Sequence, residues 1–118
     1  MTLKECYDVL GGDYENAVGR LMNDRILQKF VFKFLNDGSY DMLIRSMEAE
    51  DYKEAFRAAH TMKGVCQNLS FTVLGESSSH LTEALRAEKS EEYQELLEAV
   101  KEDYRRTVAA IQVLKAEC

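Results

Sequence analysis

The residues with the clearest chemical potential lie in one short segment, where a histidine precedes a lysine and a glycine. His60 is followed by Lys63, Gly64 and Gln67 at spacings of three, four and seven residues. In a helix these spacings place all four positions on one face. A neutral imidazole can attack an electrophilic phosphorus directly, and an ammonium group one turn away can stabilise negative charge on phosphoryl oxygens. The segment therefore predicts a nucleophilic histidine with Lys63 as its electrostatic helper.

The two other polar-face positions favour approach by a protein partner. Gly64 leaves open space where any other residue would shield the imidazole of His60. Gln67 can donate a hydrogen bond to phosphoryl oxygens or to a partner's backbone. Apolar and small residues occupy the opposite stripe of the same helix, at Ala55, Ala59, Met62, Cys66 and Leu69. The pattern predicts that His60 faces solvent while this stripe faces the core.

The rest of the chain has the composition and periodicity of helices joined by short connections. It contains no proline and only six glycines among 118 residues. Apolar residues recur at spacings of three and four, and Thr2 with Glu5 has the spacing of a capping box. The predicted helices cover residues 3–10, a short segment around 17–21, and residues 24–35, 39–50, 52–69, 71–85 and 91–114. Ser70 and Ser90 are predicted to cap the last two.

Long helices with short connections predict an all-α fold. Neighbouring helices must then run antiparallel, and an up-down-up-down four-helix bundle is the simplest arrangement that buries every apolar stripe. We expect one domain over residues 1–118, because the chain is too short for two well-packed cores. Within it, residues 1–22 form short N-terminal helices that pack on the bundle, and residues 23–118 form the bundle.

Composition excludes several classes of function. The formal net charge of −6 argues against a nucleic-acid surface, since phosphates require clustered cations. Cys6, Cys66 and Cys118 match neither a zinc spacing nor a disulfide framework, which favours a reducing, cytoplasmic environment. His60 and His80 stand without clustered ligands, so we expect no metal site. The start of the chain is polar and no apolar run is long enough to span a bilayer, so no membrane segment is expected.

The motif also carries a family resemblance. His60-Thr61-Met62-Lys63-Gly64, followed by Asn68-Leu69-Ser70, resembles the histidine-containing phosphotransfer (HPt) domain of bacterial multistep phosphorelays. Proteins of this family are helical bundles that accept a phosphoryl group from the phosphoaspartate of one receiver domain and pass it to another. The resemblance implies that His60 is phosphorylated, that Lys63 is its charge partner and that Gly64 keeps it accessible. Ser70 departs from the family pattern, in which a glycine frequently allows the receiver to approach.

Expectations about partners follow from the resemblance and, for Gln67 and Phe71, from their helical spacing after His60. The partners would be receiver domains, of a hybrid sensor kinase or of a downstream regulator, and they would contact Gly64, Gln67, Ser70 and Phe71. Phe71 would offer an apolar contact to the receiver, although a role in the core is equally compatible with its position. The chain would be a monomeric phosphoryl carrier without kinase or nucleotide-binding activity. It would need no cofactor of its own, because Mg²⁺ belongs to the receiver.

Two other functions remain open on the sequence. A helical adaptor could bind a receiver through the same face without carrying phosphate. The dimerisation half of a sensor kinase also presents a histidine on a helical bundle, but that family has an acidic residue directly after the histidine and a proline shortly beyond. Here Thr61 follows His60, and proline is absent. The second histidine, His80, lacks the lysine and glycine and is interpreted as an ordinary surface residue.

Overall fold

The computed structural model describes all 118 residues, and every regular element in it is helical. The all-α prediction is confirmed. A 3₁₀ turn at Ser90–Glu92 leads directly into the last helix. The seven α-helices are α1 (Leu3–Leu10), α2 (Tyr14–Leu21), α3 (Asp24–Phe34), α4 (Ser39–Glu48), α5 (Tyr52–Leu69), α6 (Thr72–Arg86) and α7 (Tyr93–Ala116).

Helices α4 to α7 form an antiparallel bundle. Each packs on the next along the chain across a short connection, so that successive helices must reverse direction. The first and last of them also meet, because the rings of Tyr40 and Tyr104 stack with 3.6 Å between centroids and 2° between planes. This is the up-down-up-down arrangement expected from the sequence, but the bundle begins at Ser39 and not at residue 23, because α3 packs beside it against α2, α5 and α7.

Helices α1 and α3 pack against the C-terminal half of α7. The guanidinium of Arg106 donates a hydrogen bond to the carbonyl of Val9 at 2.6 Å. On the α3 side, the ring centroid of Phe34 lies 5.9 Å from that of Tyr104. At 24 residues α7 is about 36 Å long, so one helix serves both the bundle and the N-terminal helices.

One continuous core of 25 buried apolar residues joins all these helices. Small residues on α5 and α6 allow those two helices to lie close together: a Cβ built on Gly75 would be 3.4 Å from the Cβ of Cys66. Ser78 on α6 is also fully buried, and its hydroxyl has no hydrogen-bond partner. Position 78 thus holds a small side chain inside the core.

The ends of the helices follow local side-chain chemistry. Thr2 and Glu5 form the predicted capping box on α1. The carboxylate of Asp51 accepts the backbone N–H of Glu54 at 3.3 Å and so caps α5. The prediction that Ser70 caps α6 was wrong, because Ser70 ends α5 in a left-handed conformation with φ of 56° and α6 begins two residues later. The predicted cap Ser90 likewise begins the 3₁₀ turn instead of α7.

None of these helices combines the length and the apolar composition needed to cross a bilayer.

Candidate functional site

His60 lies at the middle of α5 and points away from the core. The helix runs without interruption for 18 residues, as the sequence predicted. Ala59 and Met62, on either side of it in the helix, are completely buried, whereas His60 is exposed. The imidazole has one aromatic neighbour, Phe56 one turn earlier, with ring centroids 5.9 Å apart. The ring is therefore held on a rigid helix and remains open to an incoming protein.

Lys63 presents an uncompensated positive charge one turn after His60. Its side chain is half-buried, and it makes no ion pair with any carboxylate of the chain. By contrast Arg57, on the same helix, is paired with Glu54 at 2.9 Å. An unpaired ammonium beside a nucleophile is free to interact with an anionic group that reaches the nucleophile.

Gly64 leaves a gap beside His60 that nothing in the protein fills. A Cβ built at this position would have no atom within 4 Å apart from its own helix. The helix does not need the freedom of glycine here, because its φ is not in the left-handed region. Glycine weakens the interior of a helix, and packing within the chain does not explain its presence at position 64.

We expect Gly64→Ala to stabilise the fold. Alanine in a helix interior is favoured over glycine by about 0.5–1 kcal/mol, and the added methyl group meets no neighbour. The free energy of unfolding from urea denaturation measures the gain. Gly19→Ala is the matched control, since Gly19 also lies inside a helix with open space around it. A loss of stability confined to Gly64→Ala would contradict the open geometry.

The other predicted partner-binding residues divide into two groups. The side chain of Gln67 is exposed two turns after His60, where the prediction placed it. Ser70 and Phe71 are only 7% and 1% exposed. The ring of Phe71 packs against Tyr7 and Phe34, with centroid distances of 5.5 and 5.2 Å. The apolar contact that Phe71 would offer to a receiver is therefore not available. Ser70 therefore lies in the interior instead of at the partner surface, and Phe71 has the core role that its position in the sequence left open.

The family model described as the Hpt domain matches residues 31–110, which include the whole of α4, α5 and α6. The chain belongs to the Hpt domain family. Hpt domains take part in phosphotransfer within phosphorelays and interact with receiver domains of response regulators or hybrid kinases. Searches of curated proteins and of solved structures gave no match.

The left-handed backbone at Ser70 is a conformation that favours glycine, the residue that the family resemblance implies at this position. Glycine adopts a positive φ without strain, whereas other residues do so at a cost. In this Hpt domain the serine hydroxyl compensates by donating to the Oδ1 of Asn16 at 2.6 Å and accepting from Arg20 at 2.5 Å. Ser70 thus stabilises the end of α5.

Arg20 is a polar residue of the Hpt site that sequence reasoning missed. Its Nη2 donates to the backbone carbonyl of Gln67 at 2.6 Å and to the Oδ1 of Asn16 at 3.0 Å, as well as to Ser70. Helix α2 therefore anchors the C-terminal end of α5. No local pattern signals such a contact, because 47 residues separate Arg20 from Gln67.

Phe56 and Arg86 were missed as well. The Cζ of Arg86 lies 4.9 Å from the centre of the Phe56 ring, which in turn neighbours the imidazole of His60. The spacing of four residues between Phe56 and His60 is a signal that could have found the first of them. Only the packing of α6 on α5 brings Arg86 to the same place.

The cysteines of the Hpt domain offer no competing nucleophile near His60. Burial raises the pKa of the Cys66 thiol to about 12 and that of Cys6 to about 11. Both thiols are therefore protonated at neutral pH and enclosed in the core, as predicted for Cys66. No group of three or more His, Cys, Asp or Glu side chains is arranged to hold a metal ion.

Proposed function

We propose that this Hpt domain is a phosphorelay intermediate that carries a phosphoryl group on His60. The supporting observation is the exposed imidazole at the middle of α5, with the unpaired Lys63 one turn away and open space at Gly64. The phosphoryl group arrives from the phosphoaspartate of one receiver domain and leaves for the aspartate of another. The direction of net flow depends on which receiver is phosphorylated.

The chemistry needs few groups from this chain. The unprotonated ring nitrogen of His60 donates its electron pair to phosphorus, while the bond between phosphorus and the aspartyl oxygen breaks. The aspartate leaves as a carboxylate and keeps the electron pair of the broken bond between phosphorus and oxygen. The other ring nitrogen of His60 keeps its proton. Because the unprotonated ring nitrogen already carries the attacking electron pair, no general base is required. Reversal of the same steps transfers the group to a second receiver.

Positioning and charge stabilisation supply the remaining catalysis. Phosphoryl transfer spreads negative charge over three equatorial oxygens, which fixed cations and metal ions stabilise. Lys63 provides the cation from this chain, and Gln67 is placed to donate a hydrogen bond to the same oxygens or to the partner. Mg²⁺ bound by the receiver belongs to the partner, so the carrier acts without a cofactor of its own.

We expect Lys63→Ala to slow phosphoryl transfer without unfolding the protein. Removing a group that stabilises developing charge typically costs a factor of about 10² or more, and we expect at least about 10-fold at this partly exposed position. Thermal unfolding should change little, since Lys63 makes no ion pair within the fold. Rapid-quench kinetics with a phosphorylated receiver measure the rate. Lys53→Ala, an exposed lysine on the same helix, is the control, and equal rates for both variants would remove Lys63 from the mechanism.

The direct test of the proposal is incubation of the intact protein with phosphorylated receiver domains and Mg²⁺. The expected product carries phosphate that is labile in acid and stable in base, the behaviour of a phosphohistidine. Peptide mapping then locates it at His60. Absence of label from every receiver tested, or label on another residue, would refute the assignment.

We also propose that the carrier works in the cytoplasm as a monomer. Size-exclusion chromatography with light scattering measures the mass in solution. A stable dimer would favour the arrangement found in the dimerisation half of a sensor kinase.

A further inference from the structure

The exposed face of α5 continues from His60 toward its C-terminal end. His60, Gly64 and Asn68 follow one another at spacings of four residues and so form one row on the helix surface. The row has a gap in its centre, because Gly64 has no side chain and nothing occupies the space. Asn68 lies about 12 Å from His60 along the helix axis. A partner that covers His60 can therefore also contact the surface beside Asn68, because no side chain at position 64 lies between them.

A cleft of about 360 Å³ adjoins Asn68, between α5 and the helices α2 and α3. Leu21, Phe34 and Leu69 contribute apolar surface to it. Phe30 also lines the cleft and is 41% exposed, which is unusual for a large aromatic side chain. The cleft therefore combines an accessible apolar surface with a position beside the candidate phosphorylation site.

Two cations without carboxylate partners line this cleft. Arg20 is held through Nη2 alone by three neutral oxygens, so that its Nε and Nη1 groups have no acceptor in the protein. Lys33 lies 5.3 Å above the ring of Phe30 and makes no ion pair. The one carboxylate in the cleft, Asp37, accepts the backbone N–H of Ser39 at 2.9 Å and also its hydroxyl.

This local positive charge contrasts with the composition of the chain. The protein has a formal net charge of −6. Near the cleft, however, Arg25 and Lys29 of α3 add their positive charges to those of Arg20 and Lys33. The one acidic residue of α3 is Asp24. A phosphoaspartate with bound Mg²⁺ stands among further carboxylates, because Mg²⁺ prefers oxygen ligands of that kind. We therefore expect the face that a receiver presents to His60 to be acidic, and such a face would complement this side of α5.

We propose that the cleft binds an acidic side chain of the docking receiver, with Arg20 as the residue that pairs with it. The inference rests on the proposed function and extends the receiver contact beyond His60 to α2 and α3. An arginine already fixed at one end loses little freedom when its remaining N–H groups pair with a carboxylate. Arg20 is therefore a specificity-determining residue, because it selects receivers with a carboxylate at the matching position.

Arg20→Gln tests this assignment, since it removes the charge and keeps an amide that can donate to Gln67 and Ser70. The measurement is the phosphotransfer rate as a function of receiver concentration. We expect the half-saturating receiver concentration to rise about 10-fold, as loss of a charge-assisted pair would cause. The rate at saturation should stay within about two-fold, because Arg20 does not contact the reacting atoms.

Two controls separate charge from structure. Arg25→Gln removes an equal charge from α3 outside the cleft, and it should raise the half-saturating concentration no more than about two-fold, since distant charges are screened by salt. Asn16→Ala weakens the anchoring of Arg20 while its charge remains, so it should raise this concentration less than Arg20→Gln does. Equal effects for Arg20→Gln and Arg25→Gln would overturn the proposal, as would an unchanged half-saturating concentration for Arg20→Gln. If Arg20→Gln unfolds, Arg20→Lys replaces it. A lysine ammonium cannot both anchor to the end of α5 and pair with the receiver as the arginine fork does, so a smaller rise in the half-saturating concentration is expected.

Docking can also be measured apart from phosphate transfer. The binding of an unphosphorylated receiver to a His60→Gln protein, followed by NMR, reports contact at the Arg20 side chain directly. We expect its Nε–H resonance to shift on addition of receiver, and the shift to disappear in excess of salt. Binding with no change at Arg20 would overturn this inference alone. Failure of the wild-type protein to accept phosphate would instead refute the proposed function.

Discussion

His60→Gln is expected to lose all acceptance of phosphate while its fold stays intact. The glutamine amide has no nucleophilic nitrogen, so no residual transfer remains for other groups to support. His60 is exposed and lies between buried neighbours that hold α5 in place without it. A surface substitution of this kind changes the free energy of unfolding by no more than about 0.5 kcal/mol. Radiolabel from a phosphorylated receiver measures the loss, and circular dichroism confirms the helices.

The chain contains its own control for this experiment. His80 is the second histidine, exposed on α6 and without the lysine and glycine spacing. His80→Gln should accept phosphate at the wild-type rate. Label that persists in His60→Gln would show that another residue carries the phosphate. A phosphorelay output that survives His60→Gln in cells would favour the helical adaptor.

Met62→Asp is expected to unfold the protein. Met62 is completely buried on the inner face of α5, so the variant removes apolar packing and places a carboxylate among apolar side chains. Loss of a buried methionine costs about 2–5 kcal/mol, and an unpaired buried charge adds several more. A domain of this size is stabilised by about 5–15 kcal/mol in total. The expected result is a large loss of helical circular dichroism at 25 °C, or insoluble protein.

Thr61→Asp provides the comparison for this variant. Thr61 precedes Met62 in the same helix but is exposed, so its carboxylate stays in water and the fold should persist. Similar stability of the two variants would mean that α5 is rotated relative to the structure described above. His60 would then no longer be assured of its exposed position.

Helix α5 and the direction of His60 were predictable because their signals are local. Asp51 caps the helix through the backbone three residues later, and the alternation of Ala59 and Met62 with polar positions fixes which side is buried. The same holds for α1, because the spacing of Thr2 and Glu5 predicts its capping box. Strong periodicity with a side-chain cap determines both the bounds of a helix and its orientation.

The positions of Ser70 and Phe71 were not predictable by the same reasoning. Extending the angular spacing of α5 past its end places Phe71 near His60, but the left-handed residue at Ser70 changes the direction of the chain. Phe71 consequently points into the core, where it meets Tyr7 of α1. The role of Arg20 was not predicted for a related reason, since it depends on how α2 packs against α5, which is distant in the sequence.

The contact of α1 with the end of α5 bears on where a shortened version of this protein can begin. The match to the Hpt family starts at residue 31, yet the hydroxyl of Tyr7 donates to the carbonyl of Leu69 at 2.7 Å. Excision of the matched range alone would leave that carbonyl without its donor and would expose Phe71 to water. Expression boundaries copied from the family range would therefore damage the helix that bears His60, and they have to be set upstream of α1.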